Sequence, residues 1–85
     1  MQSTNPYNTL YMRVYSVYDK SMSSREVMVR LKADGWELVH IRGSHQQFKH
    51  PVKPGRVTVP HPQKDLPVGT LRSIYRQAGW LWHKE

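Results

Sequence analysis

From Ser23 onward the chain is interrupted so often that no element can be long. Asp34-Gly35, Gly43-Ser44, residues 51–55 (PVKPG) and residues 60–65 (PHPQKD) each stop whatever precedes them. Glycine takes left-handed conformations at no steric cost, and proline has no N–H to give a ladder. The piece at 36–42 is rich in β-branched and aromatic residues, and those at 45–50 and 56–59 follow as short segments bounded by turns, so all three read as strands. Their connections are hairpin length. A parallel pair would need a crossover of a dozen or more residues, so these strands pair antiparallel.

Two helices flank them. Ser23-Ser24-Arg25-Glu26 is a capping box, with Val27, Met28 and Leu31 following on one face, and Asp34-Gly35 is the stop. This predicts a helix over 24–34. Pro67 suits a first helical turn, and Leu71, Ile74, Tyr75 and Ala78 repeat at i, i+3, i+4 and i+7 before Gly79. The order is α-β-β-β-α, an α+β domain. Packing both helices on one face of the three-stranded sheet buries the apolar side of each element and leaves the other sheet face open.

Residues 1–21 read differently. They are rich in Tyr, Ser, Thr and Asn and lack a helical period, and strand character at 10–18 is not cleanly alternating. They are expected to be an N-terminal extension of uncertain order, with the folded domain at 22–85. The chain has no cysteine, which removes disulfides and thiolate metal sites, and no apolar run approaches the ~20 residues that span a bilayer. Arg13 and Asp19 interrupt the apolar stretch that a leader would need. The expected location is the cytoplasm. Thirteen Lys and Arg oppose six Asp and Glu in 85 residues, for a net charge of +7 and a pI near 10.1. So basic a small surface favours polyanions, nucleic acid above all.

Strand parity places the candidate chemistry. Phe48 is the large apolar residue of its strand, so it points at the helices, and His45, at an odd offset, points to the open face with Gln47 and Lys49. Val57 and Val59 point inward in the next strand, which sends Arg56 and Thr58 outward. Cleavage of RNA by its own 2′-hydroxyl requires a base that works near neutrality and cations for the charge developing on phosphate. Histidine is the side chain whose unperturbed pKa lies there. An exposed strand histidine without a task is the bland alternative.

The face of His40 depends on which alternate set of its strand is buried. His50 abuts Pro51 as a turn residue. His61, between two prolines in an exposed loop, is placed to reach RNA or act as a second acid. The histidines have no metal-ligand spacing, and no Ser-His-Asp set, phosphate-binding glycine loop or carboxylate pair is visible, so neither a metal nor a cofactor is expected. Arg72 and Arg76 lie one turn apart on a face that is solvated or else turned to phosphate or an acidic partner. Trp80 and Trp82 read as a hydrophobic lid on the helix end before they read as base-stacking platforms.

The motifs SREV, DGW, GSHQQF, TVPHP and DLPVGTLRSIYRQAG, in this order and spacing, resemble the HicA (YcfA-like) family of type II toxins. The resemblance covers residues 24–79, two thirds of the chain. It implies a fold like the double-stranded-RNA-binding domain, an mRNA interferase activity, and neutralisation by a HicB-type antitoxin. It also places the catalytic histidine at His45, with Gly43 and Ser44 matching beside it. The RNA-contacting set is then Gly43, Ser44, Gln47, Lys49, Arg56, Thr58 and His61. Family members usually begin just before the SREV helix, so 1–21 lies outside the pattern, and the tail WLWHKE is longer and more aromatic than expected. Two other readings share this fold and charge: a non-catalytic double-stranded-RNA-binding module, and an adaptor that binds only an acidic protein.

Overall fold

The structure is a computed structural model, and it describes residues 22–82. The reading of residues 1–21 lies outside the described residues. Helix α1 is Ser24–Ala33, followed by strands β1 (Glu37–Arg42), β2 (His45–Lys49) and β3 (Arg56–Pro60) and helix α2 (Val68–Ala78). The strands form one antiparallel sheet in the order β1-β2-β3.

Local chemistry sets these limits. At the start of α1 the Ser23 hydroxyl accepts from the Glu26 N–H at 3.0 Å while the Glu26 carboxylate accepts from the Ser23 N–H at 2.9 Å, the reciprocal box the sequence predicts. The helix ends one residue earlier than expected, with Asp34 as its cap and Gly35 at φ +98°. A side chain at Gly35 would suffer twice: that φ is left-handed, and a Cβ would stand 2.8 Å from the His50 ring. Gly43, at φ +60°, opens the two-residue β1–β2 loop, where a left-handed first residue matches the twist of the paired strands. Pro67 caps α2 from just outside it, and Gly79 closes it at φ +76°.

The core lies between the sheet and the helices. Phe48, Val57 and Val59 of the sheet meet Val27 and Leu31 of α1 and Leu71, Ile74 and Ala78 of α2, with Trp36 and Leu66 completing the cluster. The whole of β1 is exposed, although its inward pairs bring Leu38 beside Phe48 and Ile41 beside Gln46. The expectation that every element buries an apolar face therefore fails at β1. Both helices lie against β3, α1 tied to the loop that follows it and α2 to the strand itself. On α1, Ser24 N–H donates to the Gln63 carbonyl at 2.9 Å, and the Met22 carbonyl accepts from Leu66 N–H at 2.8 Å. On α2, the Gln77 side-chain carbonyl accepts from the Thr58 N–H at 3.0 Å.

One carboxylate joins the other ends. Asp34 Oδ2 accepts from Lys53 Nζ at 2.8 Å and from the indole N–H groups of Trp36 and Trp80, each at 3.1 Å. Lys53 also donates to the Ala78 carbonyl at 3.2 Å, so the end of α1, the β2–β3 turn and the end of α2 share one network. Trp80 and Trp82 pack edge-on against Tyr75, at 5.2 and 5.0 Å, and the Arg30 guanidinium lies 4.0 Å from the Trp80 ring. This is the lid arrangement. Bonds from Lys53 and Trp80 hold the Asp34 carboxyl down, from an ordinary 3.8 to about 2.

Two outcomes follow for stability. Because the folded carboxyl is the stronger acid, its stabilisation is complete above pH 3.8 and is lost as pH falls toward 2. The difference in melting temperature between wild type and Asp34→Asn is expected to be constant at neutral pH and to shrink across that acid window. A difference that does not change there would show that the Asp34 charge does not hold the helix ends. Phe48→Ala removes the one aromatic ring the sheet buries. It is expected to cost about 3–5 kcal/mol, enough in a domain this small to abolish a cooperative melt.

Candidate functional site

The open sheet face is built by pairing. Phe48 is fully buried and pairs with Val57 and Leu38, and Gln46 pairs with Val59 and Ile41. Those two rows define the helix side. The alternate rows point the other way. His45 stands between Arg42 and Pro60, Gln47 between His40 and Thr58, and Lys49 between Glu37 and Arg56. His45, Gln47, Lys49, Arg56 and Thr58 thus share one face, as strand parity requires.

Two residues join this face that parity alone did not assign. Arg42 is the direct cross-strand partner of His45, and His40 is the partner of Gln47. The pairing steps from Leu38↔Phe48 to His40↔Gln47, two residues on β1 against one on β2. Val39 is the extra residue of a bulge, and an extra residue reverses the alternation beyond it. Strict alternation would have put His40 on the face of Leu38. No signal in β1 announces the bulge, since Leu38, Val39 and Ile41 are all aliphatic.

Among the described residues, the side chains of His45, His40, Arg42 and Lys49 make no hydrogen bond or ion pair with the rest of the chain. Arg56 donates to the Gln47 side-chain carbonyl at 2.8 Å, which steadies both over the sheet. His45 is exposed at the edge of the two-residue turn, where Gly43 and Ser44 bring backbone close to it. The face therefore offers proton acceptors and donors amid three cations, Arg42, Lys49 and Arg56, with Glu37 at the far end. Such a surface can hold a phosphodiester and move a proton at it.

His61 is a correction. Its backbone N–H donates to the Ser44 carbonyl at 2.7 Å, which brings it beside the turn, but its ring goes the other way. Nδ1 lies 2.7 Å from Oγ of Ser24, the buried first residue of α1, and Oγ also accepts from Gln63 N–H at 2.9 Å. Continuing the alternation past Pro60 sends His61 to the helix side, where it borders a separate cleft of about 330 Å³ at the start of α1. It is not brought together with His45. His50 is likewise structural. Its Nδ1 accepts from the N–H groups of Val52 and Lys53, both at 3.0 Å, so the ring proton sits on Nε2 and is donated to the Asp34 carbonyl at 2.9 Å. Among the described residues no cluster of three or more His, Cys, Asp or Glu is arranged to hold a metal, and no helix is long and apolar enough to cross a membrane.

Comparison with known proteins agrees with this architecture. Residues 24–80 match the family model described as the HicA toxin of bacterial toxin-antitoxin systems. No curated protein matches the chain. Among solved structures, a chain of a HicA3 and HicB3 toxin-antitoxin complex is similar at 32% identity with a TM-score of 0.60, over 69% of this chain and 96% of that one. With the family model matching more than half of the sequence, and with the α-β-β-β-α order and antiparallel sheet in place, the chain belongs to the HicA toxin family.

Proposed function

We propose that this protein is an endoribonuclease that cleaves messenger RNA on the open face of its sheet, with His45 as the base that takes the 2′-hydroxyl proton. The observation that carries this reading is the setting of His45. It is an exposed imidazole without a partner among the described residues, directly across from Arg42 on a face that also presents Lys49 and Arg56. Lys49, Arg56 and Arg42 attract the phosphates. Gln47 and Thr58 offer hydrogen bonds, and the backbone at Gly43 and Ser44 allows close approach of the strand. The charge stabilisation comes from side chains already on the face, so the mechanism uses no cofactor. Messenger RNA as substrate puts the site of action in the cytoplasm.

A HicB-type antitoxin is the proposed inhibitor. The similar solved chain comes from a toxin-antitoxin complex. A chain of net charge +7 favours an acidic partner that associates quickly and in a salt-sensitive way. Covering the His45 face would block RNA and base together.

His45→Ala is expected to reduce RNA cleavage by roughly 10²–10⁴-fold, the usual contribution of a positioned acid or base. Its melting temperature should hardly move, because an exposed substitution shifts stability by no more than about 0.5 kcal/mol. RNA binding should survive, since affinity rests on Lys and Arg. Wild-type cleavage is expected to persist in chelator. A folded His45→Ala protein that cuts at the wild-type rate would remove His45 from the catalytic role, and a wild-type protein that binds RNA without cutting it would return the chain to a non-catalytic double-stranded-RNA-binding module.

For the complex, the association rate with a HicB-type antitoxin is expected to fall steeply as salt is raised. Protection of Arg42, Gln47 and Lys49 from exchange or labelling would mark the covered face. Unchanged accessibility of that face in the complex would refute occlusion.

A further inference from the structure

We propose that His40 is a second catalytic residue: the acid that protonates the departing 5′-oxygen while His45 accepts the 2′-hydroxyl proton. This rests on the ribonuclease reading above. Base and acid are both required for efficient cleavage of this kind, since the alkoxide leaving group is a poor one until it is protonated. The reaction balances without a co-reactant. The bond from 2′-oxygen to phosphorus forms, and the 2′-hydroxyl proton passes to the His45 imidazole. The bond from phosphorus to 5′-oxygen breaks, and that oxygen takes the His40 proton. The products are a 2′,3′-cyclic phosphate end and a 5′-hydroxyl end, and proton exchange with water resets the pair.

Position selects His40 from the histidines described. His50 uses both ring nitrogens within the fold, and His61 is bonded to Ser24 on the helix side. His40 alone shares a face with His45. Its partner is Gln47, two residues along β2 from His45, so the two histidines are diagonal neighbours. Diagonal positions on an antiparallel pair lie about 7–8 Å apart, within reach of long side chains, which lets two imidazoles approach one phosphate from opposite sides. Arg42 adjoins both, opposite His45 and two residues from His40 on the same strand, where a guanidinium can meet the phosphate oxygens. The pairing is regular from His40 to Arg42, because the bulge at Val39 precedes it. The other charged groups on this face are Glu37, Lys49 and Arg56, and both helices pack on the opposite side.

The test uses the full chain and two RNA substrates with the same sequence. One is ordinary, and the other carries sulfur in place of the bridging 5′-oxygen at the scissile position. A thiol ionises near 8.5, so its thiolate departs without an acid. On ordinary RNA, His40→Ala is expected to lose roughly 10²–10⁴-fold in kcat. On the sulfur substrate it should run close to wild type, whereas His45→Ala fails on both. Thermal melts confirm folding, and His40→Gln serves in its place if His40→Ala does not melt cooperatively. Equal losses on both substrates, or no loss on either, would overturn the role of His40 while wild-type cleavage leaves the ribonuclease reading standing. Failure of the wild type on both substrates would instead refute the ribonuclease reading itself.

Discussion

The structure depends on where one phenyl ring goes. β2 has five residues, and burying Phe48 decides the direction of the other four. In a pleated strand the alternation is not negotiable: with Phe48 inward, His45, Gln47 and Lys49 are outward. Antiparallel pairing then extends the decision to both neighbours, bringing Arg42 and His40 from β1 and Thr58 and Arg56 from β3 onto the same face. A one-residue slip would bury His45 against the helices and expose Phe48. The core and the candidate site are therefore two sides of one constraint, and neither can be altered in register without the other.

The rest of the fold holds that sheet with polar knots at its two ends. Ser24, buried at the start of α1, joins Gln63 and His61, and Asp34 at the other end joins Lys53, Trp36 and Trp80. These knots explain why both helices sit over β3 and why β1 is left exposed. They also commit His61 and His50 to structure. What remains on the open face, among the described residues, is a pair of unengaged histidines with Arg42 beside both. The aromatic tail has a similar structural use, since Trp80 and Trp82 pack on Tyr75 and take Arg30 and Arg72 against their rings.

Much of this is legible in the sequence. The Ser23–Glu26 box, the stop at Gly35, the Gly43-Ser44 turn and the Leu71–Ala78 stripe are local signals. Each rests on chemistry within about four residues, which is why the order α-β-β-β-α and the limits of the elements follow within a residue or so. The outward setting of His45 was equally legible, because one large apolar residue in a short polar strand leaves a single sensible parity. The site's other half was not. His40 and Arg42 lie on a strand whose Leu38, Val39 and Ile41 give no alternation to read, and His61 looked free because its partner Ser24 is far away in sequence.

Sequence alone determined the elements, the antiparallel pairing, the basic surface and the exposure of His45, since these arise from propensity, turn chemistry, charge and period-two geometry. Only the tertiary structure decided which histidines are available. The bulge at Val39 turns His40 toward His45, and the hydrogen bond to Ser24 turns His61 away. Both are contacts between distant segments, settled by how the strands register and where the helices are tied, and no local pattern encodes them.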